Sequence, residues 1–273
     1  MHARSALFDV FGDHLRGRSG QAPVAALVRL LVPLGIAPPA VRTAVSRMVR
    51  QGWLEPVVLP AGRGYRASAR CDQRLQEAVA RVYRVQAPAW DGRWHLLVLP
   101  RVGDRGARER LRAGLGYLGY ACLADDTWVA AHASPEVAAL LDAEAVTGEH
   151  FSSTYSGDPT ALVRRAWDLD TLGKAYERWL ADARALVGDV GVGPMPDLDA
   201  YATRCRLVHE WRKFLFTDPG LPADLLPAGW PGERAAAFFA SEAERLHPAA
   251  TRFVDGCLNH QRAVVPSRVD AGT

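Results

Sequence analysis

The sequence predicts an α+β chain in three parts: an N-terminal winged helix-turn-helix, a central ferredoxin-like βαββαβ domain and a C-terminal all-helical domain. Three observations predict it. Residues 4–51 carry three helical apolar stripes, followed by a hairpin pattern. Residues 94–154 alternate strand and helix signals in the order βαββαβ. From Asp158 onward strand signals vanish. The boundaries read as 1–70, a linker helix over 71–90, then 91–157, 158–262 and a disordered tail at 263–273.

Ala6, Leu7, Val10, Phe11 and Leu15 stripe a first helix over 4–16, and Gly17, Gly20 and Pro23 then punctuate the chain. A second helix fits 23–34, with Val24, Leu27, Val28, Leu31 and Val32 as its buried face and Gly35 as its stop. Pro38-Pro39 opens a third helix, because an N-terminal proline forfeits no helical hydrogen bond. It runs to about Gln51, and Gly52 ends it. Trp53–Leu59, the turn Gly62-Arg63-Gly64 and Tyr65-Arg66-Ala67 make the hairpin. A connecting helix over 72–87 places Leu75, Val79 and Val82 on one side, and Pro88 closes it.

The middle segment reads as strand Trp94–Leu99, helix Asp104–Gly116, strands Tyr120–Ala124 and Thr127–Ala131 around an Asp125-Asp126 turn, helix Pro135–Leu141 and strand His150–Thr154. Helices then fit 159–167, 170–187, 197–215, 233–246 and 248–260, with a flexible break over Gly188–Pro196. Pro219-Gly220-Leu221-Pro222 is a rigid turn, with Asp218 placed to cap that turn or to pair with an arginine.

Composition narrows the function. The longest apolar run, Ala22–Leu34, is broken by Arg29 and Pro33 and is too short to span a membrane. The opening residues put Asp9 straight after the apolar ones, which does not suit a signal peptide, so a cytoplasmic location is expected. Cys71, Cys122, Cys205 and Cys257 are far apart and form no CxxC pair; buried thiols are expected, with no metal site. The net charge of +3 conceals an asymmetry. Residues 1–70 hold ten arginines against Asp9, Asp13 and Glu55, a net +7, which leaves 3 − 7 = −4 for the rest. Arginine replaces lysine almost everywhere, since only Lys174 and Lys213 are lysines, but that does not explain the uneven distribution. A polyanion-binding module on a near-neutral body does.

The third helix locates that module. Val41, Val45, Met48 and Val49 make its apolar face. Arg42, Ser46 and Arg50 lie four apart on the other side, with Thr43 and Arg47 beside them. A solvated face ordinarily mixes acids with bases; this one has none. Guanidinium groups pair with guanine or with phosphate, and small hydroxyls permit close approach to a groove. Arg63 and Arg66 on the hairpin are placed for neighbouring phosphates or the minor groove. These seven residues are the candidate contacts to double-stranded DNA.

The chain resembles the PaaX family of transcription regulators. Ser5-Ala6-Leu7-Phe8-Asp9-Val10-Phe11-Gly12-Asp13 is similar to the family's opening helix. Val41–Val49 and Gly52-Trp53-Leu54 resemble its recognition helix and wing entry. The run from Arg212 to Pro222, with Leu225–Gly232, resembles its C-terminal signature. The resemblance covers residues 4–260. It implies a homodimeric repressor of aromatic-acid catabolism or a related pathway, bound to a palindromic operator and released by an aryl-CoA thioester such as phenylacetyl-CoA. It gives the ferredoxin-like part a dimerisation role and the helical part an effector-sensing role, with no other cofactor.

An acyl-CoA needs cations for its phosphates and apolar walls for its acyl group. Arg204, Arg212 and Lys213 are candidates for the first need, and Trp211, Phe214 and Trp230 for the second. Aromatics at helical spacing are more often core, and that reading stands beside the pocket. Two rivals remain: a metal-dependent ferredoxin-like nuclease and a ligand-independent DNA-binding scaffold. The nuclease wants an acid at the end of its first strand, where this chain has Val98-Leu99-Pro100-Arg101. His209-Glu210 lacks the second histidine of a zincin, and neither GxSxG nor a P-loop occurs, so no enzyme is expected.

Overall fold

The computed structural model describes residues 1–60, 62–82, 90–188 and 195–259. The expected tail at 263–273, the closing Pro88 and most of the break after Gly188 lie outside them. The chain is a mixed α/β protein with two antiparallel sheets, of three and four strands. It divides into two compact units. One comprises the described parts of Met1–Tyr83, Ala181–Trp211 and Ala237–Thr273; the other comprises the described parts of Arg84–Leu180 and Arg212–Ala236. Packing thus follows a different division from the order of segments along the chain.

In the first unit α1 (Ala3–Val10) runs on through a π-helical turn, Phe11–Leu15, so the predicted first helix is continuous in place. A three-residue strand comes next, β1 (Gln21–Pro23), which the sequence does not predict. So short a segment shows no alternation of its own; pairing with a distant strand makes it. Then come α2 (Val24–Leu31), a 3-10 turn Val32–Leu34, α3 (Pro38–Arg50), β2 (Leu54–Leu59) and β3 (Gly62–Ala67). The sheet order is β1-β3-β2. β1 approaches so closely that a Cβ on Gly64 would sit 2.8 Å from the Ala22 carbonyl oxygen and 2.5 Å from Leu59.

The buried face of α2 is Ala26, Leu27, Leu30 and Leu31, and Val32 is exposed, a rotation from the expected face. Pro33 explains it. In a continuing α-helix its ring would clash with the Arg29 carbonyl. The chain tightens into a 3-10 turn instead, which turns Val32 out and Leu34 in. Gly35 ends the turn in the left-handed region, as its position suggests.

α4 (Ala69–Val82) starts three residues before the expected connecting helix. Its Cys71 and Leu75 enter the same core as Leu7, Phe11, Leu27 and Met48. The side chains of Val79 and Val82 lie outside the described residues. α9 (Asp197–Trp211) is buried on several sides, as a helix in the middle of a core must be. The two helices expected at 233–246 and 248–260 are one, α10 (Pro231–Asn259), with Pro248 inside it. An interior proline costs about 3 kcal/mol. Ala235, Phe239, Ala243, Leu246, Ala250, Val254 and Cys257 form one buried stripe in phase across it. Each large member contributes about 1.5–3 kcal/mol on burial, so the stripe outweighs the proline.

The second unit contains β4 (Trp94–Val98), α5 (Arg105–Tyr117), β5 (Ala121–Ala124), β6 (Thr127–Ala130), α6 (Glu136–Ala143) and β7 (Glu149–Ser153). The strand order β5-β6-β4-β7 is the ferredoxin-like one. Asp104 caps α5 by accepting from the Ala107 amide at 2.7 Å. Leu97, Leu111, Leu115, Trp128 and Leu141 lie in the core under the helices. Asp125-Asp126 makes the β5–β6 turn. Cys71, Cys205 and Cys257 are buried free thiols, but Cys122 is half-exposed on β5, a correction to the expectation for all four. α7 (Pro159–Ala166), the first part of α8 (Leu169–Gly188) and two 3-10 turns, Arg212–Phe216 and Ala223–Leu225, complete this unit. The α-helix predicted to 215 therefore stops at Trp211 and tightens.

Candidate nucleic-acid interface

α3 carries the candidate surface. Val41, Ala44, Val45 and Met48 are buried in the core, which fixes the helix rotation. Arg42, Thr43, Ser46, Arg47 and Arg50 are consequently exposed together on one face. Among the described residues Arg42, Arg47, Arg50 and Arg63 have neither a hydrogen bond nor an ion pair within the chain. Ala44 replaces Val49 in the fully buried set, since Val49 is only half-buried.

The hairpin brings Arg63 opposite Val58, which is 94 % exposed, and Arg66 opposite Glu55. Arg66 differs from the others. Its guanidinium donates to the Glu55 carboxylate at 2.9 and 2.8 Å, so the strand partner already holds it. Arg29, Arg42 and Arg63 line a depression of about 470 Å³ beside α3. From the sequence Arg29 reads only as a break in an apolar run. The available signal is its position: the one charge on an otherwise apolar helix, preceding the basic helix.

A buried ion pair and buried hydrogen bonds hold this module on α9. Asp13 accepts two bonds of 2.7 Å from Arg204, and both side chains are buried. Arg204 also donates to the Ala243 carbonyl. His209 lies 2.7 Å from Asp9, and the Tyr201 hydroxyl donates to the Leu30 carbonyl at 2.8 Å. Burial holds the nearby His14 imidazole down at about pKa 4, against an opposing pull from Asp13. Burial likewise raises the Cys205 thiol well above its ordinary range.

The six candidate effector residues do not come together as one group. Arg204 and Trp211 belong to the first unit, and Arg212, Lys213, Phe214 and Trp230 to the second. Arg204 is only 4 % exposed and is committed to Asp13, so its chemistry here is that of a framework residue. Trp211 is buried and stacks on Phe239 at 4.9 Å. Phe214 stacks on Tyr176 at 4.0 Å, and Trp230 meets the same ring edge-on at 6.1 Å. The Tyr176 hydroxyl donates to the Asp218 carboxylate, whose other oxygen accepts from the Gly220 amide at 2.8 Å. Asp218 thus caps the turn and also accepts from a tyrosine. Tyr176 was missed because nothing in the sequence ties residue 176 to residue 214. Lys213 is exposed and Arg212 half-buried.

Among the described residues no group of three His, Cys, Asp or Glu is placed to hold a metal ion. No helix among them is long and apolar enough to cross a membrane.

Comparison with known proteins matches three stretches of the chain to family models. Residues 2–70 match the model of a PaaX-like protein, residues 87–161 the central Cas2-like domain of PaaX proteins, and residues 167–256 the PaaX-like C-terminal domain. The chain belongs to the PaaX family. Its relative in Escherichia coli K12, the transcriptional repressor PaaX, is 30% identical over 265 residues, covering 92% of this chain and 82% of that one. The uncharacterized protein Rv0674 from Mycobacterium tuberculosis has a similar structure, with a TM-score of 0.63 at 26% identity over 94% of this chain and 98% of that one. The PaaX relation thus extends over both compact units.

Proposed function

We propose that this chain is a DNA-binding transcriptional repressor whose residues 1–70 act as a winged helix-turn-helix. One observation carries the reading: α3 exposes Arg42, Arg47 and Arg50 together, without an acid, on a helix rotated by its buried face. The repressor relative supports it. α3 enters the major groove; Arg42, Thr43, Ser46, Arg47 and Arg50 contact bases and phosphates, and Arg63 and Arg66 track the flank. The central ferredoxin-like segment joins two copies, so that two α3 helices meet half-sites about one helical turn or a multiple apart. The protein works in the cytoplasm.

The proposed signal is an aryl-CoA thioester of the phenylacetyl-CoA kind. Phe214 and Trp230 sit on one tyrosine in one unit with Arg212 and Lys213, and these four are its candidate contacts. Arg204 and Trp211 act on this reading as framework. Coupling between the sites equals the ligand's differential affinity for the free and DNA-bound states.

The deciding experiment is Arg47→Ala in a DNA titration. Specific binding should weaken by about 1–3 kcal/mol if Arg47 reads a base, and the loss should be equal on all sequences if it touches phosphate. Unchanged affinity on every duplex overturns the assignment. Thermal shift with phenylacetyl-CoA against free CoA tests the effector; no difference removes that acyl group.

A further inference from the structure

The depression beside α3 has a chemistry of its own. Three arginines line it, Arg29, Arg42 and Arg63, with Pro23 of β1 and Val24, Ala25 and Val28 of α2 as the apolar remainder, and no carboxylate takes part. The arginines come from α2, α3 and β3, so the fold gathers them. Arg42 and Arg63 have no partner within the described chain. Arg29 is different: one terminal nitrogen donates to the Cys257 carbonyl in the last turn of α10. Its Nε is buried and has no hydrogen-bond partner among the described residues. A buried cationic donor left unmade is unfavourable, and negative charge brought close to it offsets that cost. Three arginines around one depression favour an oxyanion, and the guanidinium fork suits phosphate.

We infer that this depression binds one backbone phosphate of the bound duplex, and that Arg29 links that phosphate to the C-terminal end of α10. The inference rests on the DNA-binding reading and extends it. Arg29 donates to a carbonyl near the C-terminal end of α10, where a cation is also favoured by the helix dipole. Arg29 also lines the depression. Phosphate occupancy and the seating of α10 therefore share one side chain. By linkage, whatever loosens the end of α10 weakens DNA binding, and DNA binding steadies the end of α10.

The test measures affinity of the full chain for a short mixed-sequence duplex over a salt series. Arg29→Gln removes the charge but keeps an amide donor for the Cys257 carbonyl; Arg63→Ala alters an exposed residue and leaves the fold intact. Each should reduce the slope of log K against log salt by about 1, the signature of one lost phosphate. The double variant should lose about as much as either single one, not their sum, because both act on one phosphate. Hydrogen exchange in the last turn of α10 should slow on adding duplex to the wild type and not to Arg29→Gln.

An unchanged slope in either folded variant overturns the inference, as does an additive slope loss in the double variant. A wild type that binds no duplex overturns both this inference and the DNA reading beneath it. Inorganic phosphate separates the other source. If it raises the melting temperature, Arg63→Ala abolishes that rise and duplex slopes stay unchanged, the pocket belongs to a free phosphate and the DNA assignment falls.

Discussion

Two arginine-bearing helices of this chain do opposite things with the same side chain. α3 exposes Arg42, Arg47 and Arg50 without a partner in the described chain. α9 buries Arg204 and binds it to Asp13 through two bonds of 2.7 Å. Exposed charge here serves recognition, and buried charge serves the frame. A guanidinium in water costs little and keeps its donors for a ligand. A buried one must have its donors met within the fold, or it destabilises the fold.

The largest effect expected from this contrast is on stability. Arg204→Ala removes two charge-assisted bonds from the buried Asp13 carboxylate, a loss of about 3–5 kcal/mol. Arg47→Ala should change stability by no more than about 0.5 kcal/mol, because it removes an exposed side chain with no partner. Urea melts of the two variants check the pair. Equal stabilities would break the comparison, since they would mean that the buried pair contributes no more than a solvated arginine.

That contrast also marks what the sequence makes legible. The three N-terminal helices, the hairpin and the order βαββαβ arise from local patterns: apolar spacing, Gly35, Gly52, Pro38 and Asp104. The face of α3 is legible for the same reason, because periodicity alone places Arg42, Ser46 and Arg50 together. Arg204 is not legible. Its partner is 191 residues away, and nothing near it in sequence distinguishes it from Arg42. The same separation hid β1, whose pairing partner is β3, and Tyr176, which meets Phe214 only in the fold. Pro248 misled for a different reason. Local chemistry argues for a break, but the apolar stripe on both sides outweighs it.

A second, smaller effect sharpens the comparison through pH. His14 lies 3.3 Å from Asp13, and burial first, then Arg204 and Arg18, hold its imidazole neutral to about pH 4, against 6.5 for the free side chain. The folded value is below the unfolded one, so between these values the unfolded chain binds more protons. Stability is then full above pH 6.5 and falls as pH drops toward 4, with no further loss from this group below that. The shift corresponds to about 3 kcal/mol across the window. Urea midpoints from pH 7 to pH 4, the range set by these two values, should decline for the wild type and decline distinctly less for His14→Gln. Parallel curves would show that the acid sensitivity of this module comes from elsewhere.

The smallest effect concerns an arginine between the two extremes. Arg66 is exposed like Arg47 but paired like Arg204, with side chains 57% and 45% exposed at Arg66 and Glu55. An ion pair this wet contributes about 0–1 kcal/mol. Glu55→Gln should therefore barely move the melting temperature. It should, however, free Arg66 and remove one negative charge beside the proposed DNA flank. Duplex affinity should rise, and the salt slope should steepen by up to about 1 as Arg66 gains a phosphate. Arg66→Ala should then cost more affinity in the Glu55→Gln background than in the wild type. If it costs the same in both, Glu55 does not restrain Arg66, and pairing matters to recognition only where burial enforces it.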